Sequence, residues 1–403
     1  MPSHFPFIKT QRRFILILLF CLGYSVAFAN DNNPREKMSS IDYDMLIQAT
    51  EWFDQGHYNL ALDVYDALLA KYPGDRTVTY EKALTLYMMN KLEEASLLFE
   101  SNIKQGNAQA GDYSMLGNCY DRMGDSQKAL EIYQQGFEKY PDNSIFLTET
   151  GNVFLNHDIY DEALKYYQFG MRLEPMRPQN YYRAANVEFQ HGEPIWGLIY
   201  AETEIFLALS NVDRHLEMSK EMINAYRTHC KIDGDSVIAR LFSTPEISIS
   251  GSGGDDMMLN CGQILSLCYE TSLKDMLKNK KTIDFKSLES LIELRRGMVE
   301  TYFRATNNLY GNSMYLLEYQ KEVMDAGHWG AYNWFLFSKA LPEEAEIYLN
   351  SHEKEIKAFS DWYNDHSFTL DKDKTVCRTT VRQTRKLNIM DALMITGNLT
   401  IGD

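Results

Sequence analysis

The sequence has few cysteines, and their spacing gives no disulfide framework. Six occur in 403 residues, and one of them lies in an N-terminal apolar run. The others form an odd, scattered set: Cys119, Cys230, Cys261, Cys268 and Cys377. The chain is therefore unlike the small extracellular domains that disulfides hold together. Cys261 and Cys268 are spaced for one face of a helix, which favours buried thiols over a bridge or a metal pair.

Sequence motifs for catalysis, metal binding or nucleotide binding are also missing. His352-Glu353 begins like a zinc motif, but Ile356 stands where the second histidine is required. The glycine-rich run at 251–254 lacks the Gly-Lys-Ser/Thr ending of a phosphate loop. We predict no catalytic residue, no metal site and no cofactor. Because catalytic groups can meet in space without a sequence motif, the alternative is a catalytic C-terminal domain to which the N-terminal half presents substrate.

Long apolar runs are confined to the N-terminus. Residues 14–22 are apolar, follow three basic residues and precede Ala27-Phe28-Ala29, a pattern that signal peptidases cleave. We predict a signal peptide at 1–29 and export to the periplasm or cell envelope. An uncleaved membrane anchor is the alternative, but the run is short for about 30 Å of hydrocarbon, and no later segment has about 18 apolar residues. We therefore expect no transmembrane segment in the mature chain.

Positive charge is scarce relative to negative charge. The chain has 40 Lys and Arg against 56 Asp and Glu, a formal net charge of -16, and loss of the three basic leader residues makes it -16 - 3 = -19. Such an acidic protein should be soluble and should repel nucleic acid and anionic lipid. We expect no nucleic-acid partner.

The sequence does contain a repeat with a period of 34 residues. One column holds Ala61, Ala95, Ala129 and Ala163, and a second holds Tyr65, Phe99, Tyr133 and Tyr167. Within the unit 110–143, apolar side chains fall three and four apart on both sides of Gly124-Asp125, and Pro141 ends the pattern. Each unit is predicted to be a helical hairpin, and stacked hairpins bury a continuous core.

These columns resemble the tetratricopeptide repeat. The unit from Ala110 meets the family pattern with Leu116, Gly117, Tyr120, Gly124, Ala129, Tyr133 and Pro141. Similar units begin at Asp42, Arg76, Ser144 and Pro178. The resemblance implies an all-α fold, with a linker at 30–41, an α-solenoid of about five hairpins at 42–211 and a closing helix at 212–230. The leader and repeats look like those of exported bacterial envelope proteins that bind a protein or peptide partner.

In this family the first helix of each hairpin lines a concave groove that binds peptides or helices. Positions 2, 5, 9 and 12 of that helix form the lining, which we call the inner stripe. Its predicted partner-binding residues are Leu46, Phe53, Tyr80, Leu84, Tyr87, Asn118, Asn152 and Asn186. The three asparagines are in register, and their amides can donate to and accept from a peptide backbone. Two alternatives stay open: asparagine is common at this position in the family, and some of the apolar residues pack inside the hairpins.

The second half of the chain shows no such columns. Breaker residues predict a linker or long loop at 231–258. A C-terminal helical region is predicted at 259–370, with helices at 259–277, 285–302, 315–326 and 343–363, and a basic tail at 371–403. Aromatic residues crowd the stretch 329–337, where core packing accounts for them better than a surface for self-association.

Overall fold

The computed structural model describes residues 38–233, 236–239, 241, 261–279, 283–306 and 314–371. The predicted signal peptide, most of the N-terminal linker and nearly all of the basic tail lie outside these residues. The chain forms two compact units. Among the described residues, the first unit comprises 38–136, and the second comprises 137–371 with the gaps given above.

The first unit consists of helical hairpins. Its helices are α1 (Ser40–Asp54), α2 (Tyr58–Lys71), α3 (Arg76–Met88), α4 (Leu92–Lys104), α5 (Ala110–Arg122) and most of α6 (Ser126–Lys139). Two of them begin at side-chain caps, because Ser39 accepts from the Asp42 amide and Asp75 from the Val78 amide. From α1 to α5, consecutive helices pack against each other in chain order.

The turns inside the first four hairpins have a left-handed residue at one repeat position. Gly56, Asn90, Gly124 and Asp158 have φ angles of 80, 61, 87 and 59°. Glycine adopts positive φ freely, and asparagine and aspartate tolerate it better than other side chains. Asn90 and Asp158 therefore close the same turn as glycine, although the family pattern asks for glycine there.

A buried ion pair joins three helices of the first unit. Arg76 Nε and Nη2, on α3, donate to Asp112 Oδ2, on α5, at 3.0 and 2.7 Å. Asn102, on α4, donates to the other oxygen of the same carboxylate at 2.7 Å. Because both carboxylate oxygens are hydrogen-bonded, the charges can be buried between the repeats.

The second unit contains the remaining helices. The repeats continue with the end of α6, α7 (Ile145–Asn156), α8 (Tyr160–Leu173), α9 (Pro178–His191) and α10 (Pro194–Leu207). After them come α11 (Val212–His229), α12 (Cys261–Asn279), α13 (Leu288–Thr306), α14 (Tyr315–Asp325), α15 (Trp329–Phe337) and α16 (Pro342–Asp365). The four helices predicted beyond residue 259 match α12, α13, α14 and α16 to within about four residues at each end.

Part of the predicted linker is instead an antiparallel hairpin. Strand β1 (Cys230–Asp233) pairs with β2 (Ser236–Ala239), with Cys230 opposite Ala239 and Asp233 opposite Ser236. The breaker residues near Asp233 separate two short runs that contain β-branched residues, and this is the composition of a tight hairpin. Strand β2 contacts α12, so this segment packs within the second unit.

The predicted closing helix, α11, is covered by the C-terminal helices. His215 and Ser219 both contact the carbonyl oxygen of Leu336 in α15, at 3.1 and 2.6 Å. The aromatic residues of α15 are buried: Trp329, Tyr332, Trp334, Phe335 and Phe337. This cluster is therefore core, and α11 is an inner layer of the second unit. The all-α solenoid predicted from the sequence is confirmed, with the short β-hairpin as an addition.

Candidate interaction surface

The inner stripe of the first unit begins with residues that pack inside the hairpin. Leu46 is 8% exposed and belongs to a core cluster with Tyr65 and Val78. Phe53 packs partly against the same cluster, and its ring centre lies 5.6 Å from that of Tyr58. The prediction for Leu46 is therefore corrected. Because the side chains of α2 and α3 cover it, Leu46 is not open to a partner.

Further along the stripe, two half-buried tyrosines each have an arginine guanidinium packed over the ring. The guanidinium of Arg76 lies 4.9 Å from the ring centre of Tyr80, and that of Arg122 lies 4.6 Å from the ring centre of Tyr87. Leu84, between the tyrosines, is also half-buried. This part of the stripe is thus an apolar and aromatic surface. The two nearby guanidinium groups make cation–π contacts with its tyrosine rings.

Asn118 is held by a tyrosine of its own hairpin. The Tyr133 hydroxyl donates to Asn118 Oδ1 at 2.5 Å. The contact depends on Gly117, because a methyl group there would overlap the Tyr133 ring. Asn118 Nδ2 lies 3.9 Å from the sulfur of Met115, a weak acceptor. The half-buried amide therefore keeps hydrogen-bonding capacity for a partner.

The same arrangement recurs in the second unit. The Tyr167 hydroxyl donates to Asn152 Oδ1 at 2.9 Å, and Gly151 leaves the space for its ring. Asn152 Nδ2 donates to Glu149 at 2.9 Å. An amide has two N–H donors, so this bond occupies one of them. We call each set of glycine, asparagine and tyrosine an amide clamp: Gly117, Asn118 and Tyr133 in the first unit, and Gly151, Asn152 and Tyr167 in the second.

Asn186 has different surroundings. Its hairpin carries Ala185 in place of the clamp's glycine and Ala201 in place of the tyrosine, and both alanines are fully buried. This hairpin therefore has neither the glycine nor the tyrosine ring that holds the asparagine in the other two. Beside Asn186, the Tyr182 hydroxyl lies 2.9 Å from both carboxylate oxygens of Glu217. The sequence predicted three equivalent asparagines, whereas the structure gives only two of them a common geometry.

Two carboxylates, Asp54 and Glu81, directly follow the stripe residues Phe53 and Tyr80 in the sequence. Burial raises the pKa of Glu81 to about 7, although Arg76 acts in the opposite direction, and Asp54 raises it further. Burial and the charge of Glu51 raise the pKa of Asp54. The ionised form of Glu81 is thus disfavoured in the free protein, which is a common property of functional carboxylates.

The second unit contains a buried ion pair that no sequence pattern indicated. Arg295 Nη2 donates to Glu202 Oε1 at 2.6 Å, and the two side chains are 1% and 3% exposed. The same oxygen accepts from the Tyr332 hydroxyl at 2.6 Å and from Gln320 Nε2 at 2.7 Å. Arg295 Nε also donates to Asn333 at 2.6 Å. This Glu202 network joins α10, α13, α14 and α15 in one core.

A cleft of about 610 Å³ lies between α13, α15 and α16. Helix α16 bends there at His352, whose φ and ψ are -127 and 26°, and His352 Nδ1 lies 3.2 Å from the carbonyl oxygen of Tyr348. Glu355 accepts from the Ala331 amide at 3.0 Å and from the Tyr348 hydroxyl at 3.2 Å. A carboxylate at a helix N-terminus satisfies free amides, so these polar groups are accounted for by helix packing.

No group of three or more His, Cys, Asp or Glu side chains within the described segments is arranged to hold a metal ion. Within the same segments, no helix combines the length and the apolar character needed to cross a membrane.

Comparisons with known proteins match the repeat region. Residues 48–185 match the family described as "Psidin, N-terminal TPR repeats region". The chain is 21% identical over 160 residues to Protein O-mannosyl-transferase TMTC1 of Homo sapiens, covering 39% of this chain and 18% of that protein. It is 24% identical over 145 residues to BBSome complex member BBS4 of Bos taurus, covering 36% and 28%. The chain thus spans less than a third of the length of either relative.

A solved structure shows a similar partial match. TTC0263, a thermophilic TPR protein from Thermus thermophilus, is 17% identical, with a TM-score of 0.40, and the match covers 45% of this chain and 99% of that one. The family match is thus confined to residues 48–185, where the helical hairpins and the left-handed turn residues at 56, 90, 124 and 158 agree with tetratricopeptide repeats.

Proposed function

We propose that this protein is a non-enzymatic, exported scaffold of the cell envelope that binds a protein or peptide partner along its inner stripe. The amide clamps carry the proposal. In each clamp a buried tyrosine holds the asparagine oxygen, which gives a half-exposed amide a fixed direction. A fixed side chain loses little freedom when it binds, and a peptide backbone offers both donors and acceptors to such amides.

Export is supported by the leader pattern at residues 1–29, which lies outside the described residues. Cleavage before Asn30 predicts a mature protein that begins with this residue. Cell fractionation followed by intact-mass measurement tests the localisation. A full-length mass found in the cytosolic fraction would contradict export.

The role of the groove is tested by replacing Asn118, Asn152 and Asn186 with alanine together. We expect the variant to lose the partners that the wild-type protein captures by crosslinking in the native envelope. The first two replacements also leave a buried tyrosine hydroxyl without its acceptor, at a cost of about 1–3 kcal/mol each.

A matched control separates this stability loss from lost binding. Tyr133→Phe with Tyr167→Phe also breaks both clamp hydrogen bonds but leaves every asparagine in place, so it frees the amides without removing them and should weaken capture less than the triple variant does. Asn186→Ala alone breaks no clamp and should weaken capture without lowering the melting temperature. Unchanged capture by the triple variant would remove the inner stripe from the proposal. A tyrosine control that loses as much capture as the triple variant, with an equal fall in melting temperature, would assign the effect to folding.

A further inference from the structure

We infer that the second unit contains a further peptide-binding site, which takes an extended partner segment with the pattern Phe-x-Leu. In this structure the chain's own residues 366–371, which we call the strap, occupy the site. The strap directly follows α16 and is neither helix nor paired strand. The strap site is formed by Met176, Phe206, Tyr315 and Tyr319, none of which belongs to the inner stripe. The inference therefore goes beyond the proposed function.

The strap has the side-chain alternation of an extended peptide that lies on a surface. Phe368 and Leu370 are 2% and 5% exposed, whereas the polar residues on either side of Phe368, Ser367 and Thr369, are exposed. In extended backbone, side chains two residues apart point to the same side and lie about 7 Å apart. Phe368 and Leu370 are therefore two apolar anchors on one side of the strap.

Phe368 packs among aromatic rings of two helices. Its ring centre lies 5.1 Å from that of Tyr319 at an interplanar angle of 64°, and 5.7 Å from that of Tyr315 at 26°. The ring centre of Phe206, on α10, is 6.3 Å away. Ring pairs at such distances and angles attract each other beyond the effect of burial alone. The rings of α10 and α14 thus favour an aromatic side chain at this position.

The backbone of the strap makes the polar contacts. The Tyr319 hydroxyl donates to the His366 carbonyl oxygen at 2.8 Å, and the Leu370 amide donates to the sulfur of Met176 at 3.0 Å. Nearly every residue type offers these backbone groups, so they hold an extended chain without reading its sequence. Met176, between α8 and α9, is 47% exposed, and its flexible thioether adapts to different neighbours. The sequence requirement of the site therefore rests on the two apolar anchors.

The strap has fewer hydrogen bonds than the helices beneath it. Among the described residues, no backbone–backbone hydrogen bond involves residues 367–370. The sulfur that accepts from the Leu370 amide is a weak acceptor. Segments with few such bonds open locally at a lower free energy than the packed helices around them. A partner segment with the same two anchors can thus replace the strap without unfolding α10 or α14.

The covalent connection to α16 gives the strap an advantage over a free peptide. A tethered segment has an effective concentration on the order of 1 mM. A free peptide with a dissociation constant of about 0.1 mM for the empty site therefore binds about tenfold more weakly while the strap is in place. In the full-length chain, Phe368→Ser with Leu370→Ser removes both anchors, and we call this protein the vacated variant.

A labelled synthetic peptide with the sequence of residues 364–371 tests the inference by fluorescence anisotropy. We expect the vacated variant to bind this peptide about tenfold more tightly than the wild-type protein does. Alanine in place of the phenylalanine of the peptide should weaken that binding about thirtyfold, as for a buried aromatic anchor. Ser367→Ala with Thr369→Ala is the matched control. It changes only exposed side chains of the strap, so it should bind the peptide as weakly as the wild type does.

Two further measurements separate the strap site from other surfaces and from simple core packing. Tyr315 is half-buried and stacks on Phe368, so Tyr315→Ala in the vacated variant should abolish the tight binding while circular dichroism shows intact helices. Hydrogen exchange of the wild-type protein needs no variant. The amides of Phe368 and Leu370 should be less protected than those in the middle of α14.

Four results would overturn the inference. A folded vacated variant that binds the peptide no better than the wild type would do so, as would tight binding that survives Tyr315→Ala. A vacated variant that fails to fold, or strap amides as protected as those of α14, would make the strap an ordinary part of the core. None of these results tests the inner stripe, which shares no residue with the strap site.

Discussion

The Glu202 network predicts that one substitution outside the inner stripe will strongly destabilise the second unit. Arg295→Met keeps a long apolar side chain but removes the guanidinium that bonds Glu202 and Asn333. The carboxylate of Glu202 then keeps its bonds from Tyr332 and Gln320 but has no cation beside it. Removing one partner of a buried ion pair costs about 3–5 kcal/mol. The free energy of unfolding of a whole domain is about 5–15 kcal/mol, so the expected loss is a large share of the total.

A double variant separates the ion pair from simple packing. Arg295→Met with Glu202→Gln leaves no buried charge, and the glutamine oxygen can still accept from the Tyr332 hydroxyl. We expect the double variant to be more stable than Arg295→Met alone, because the uncompensated carboxylate is gone. The difference between the double variant and the sum of the single variants gives the coupling energy.

Urea unfolding followed by tryptophan emission measures these effects. Four of the five tryptophans, Trp196, Trp329, Trp334 and Trp362, belong to the second unit, so the signal reports mainly on that unit. Circular dichroism, which reports on the helices of both units, shows whether the first unit unfolds separately. An Arg295→Met variant within about 1 kcal/mol of the wild type, or a double variant less stable than Arg295→Met, would refute the reasoning.

Burial at other positions predicts three further outcomes. Gly117→Ala places a methyl group in the Tyr133 ring and should cost about 1–3 kcal/mol, and an unchanged urea midpoint would contradict this. Burial raises the pKa of Glu204 from 4.5 to about 7, so the folded protein holds this proton more tightly than the unfolded chain, and stability should fall as the pH rises between these values. Glu204→Gln should make the free energy of unfolding less dependent on pH in this range. Equal pH dependence in the variant and the wild type would count against this assignment. Burial raises the thiol pKa of Cys119 and Cys230 to about 12, so both should react with thiol reagents only in denaturant, and rapid labelling of the native protein would be inconsistent with this.

The helices of the repeats could be predicted because their signal is periodic and local. The amide clamp had a visible signal too, since Asn118 and Tyr133 are 15 residues apart and the same spacing separates Asn152 from Tyr167. The sequence alone could not show that Gly117 brings the tyrosine ring across α5, because a glycine is equally compatible with a turn or a close helix contact. The asparagines were therefore predicted as groove residues without the tyrosines that hold them.

The Glu202 network could not be predicted, because its signal is neither periodic nor local. Its other members Arg295, Gln320 and Tyr332 stand 93, 118 and 130 residues away from Glu202, with no period that relates them. One signal was present, because Arg295 lies in a helix whose buried face includes Leu291 and Leu294. A charged residue on such a face is buried only with a partner. The sequence spacing does not identify that partner, because Glu202 reaches Arg295 only through the tertiary packing of the helices.

The first unit shows how a repeated backbone can carry different chemistry at one repeat position. At the asparagine position its hairpins present Thr50, Leu84 and Asn118, although the helices that carry them stack in the same order. Because an amide bonds any peptide backbone, Asn118 suits a contact that does not read sequence. Asn118→Ala should therefore lower the affinity for peptides of different sequence by the same factor.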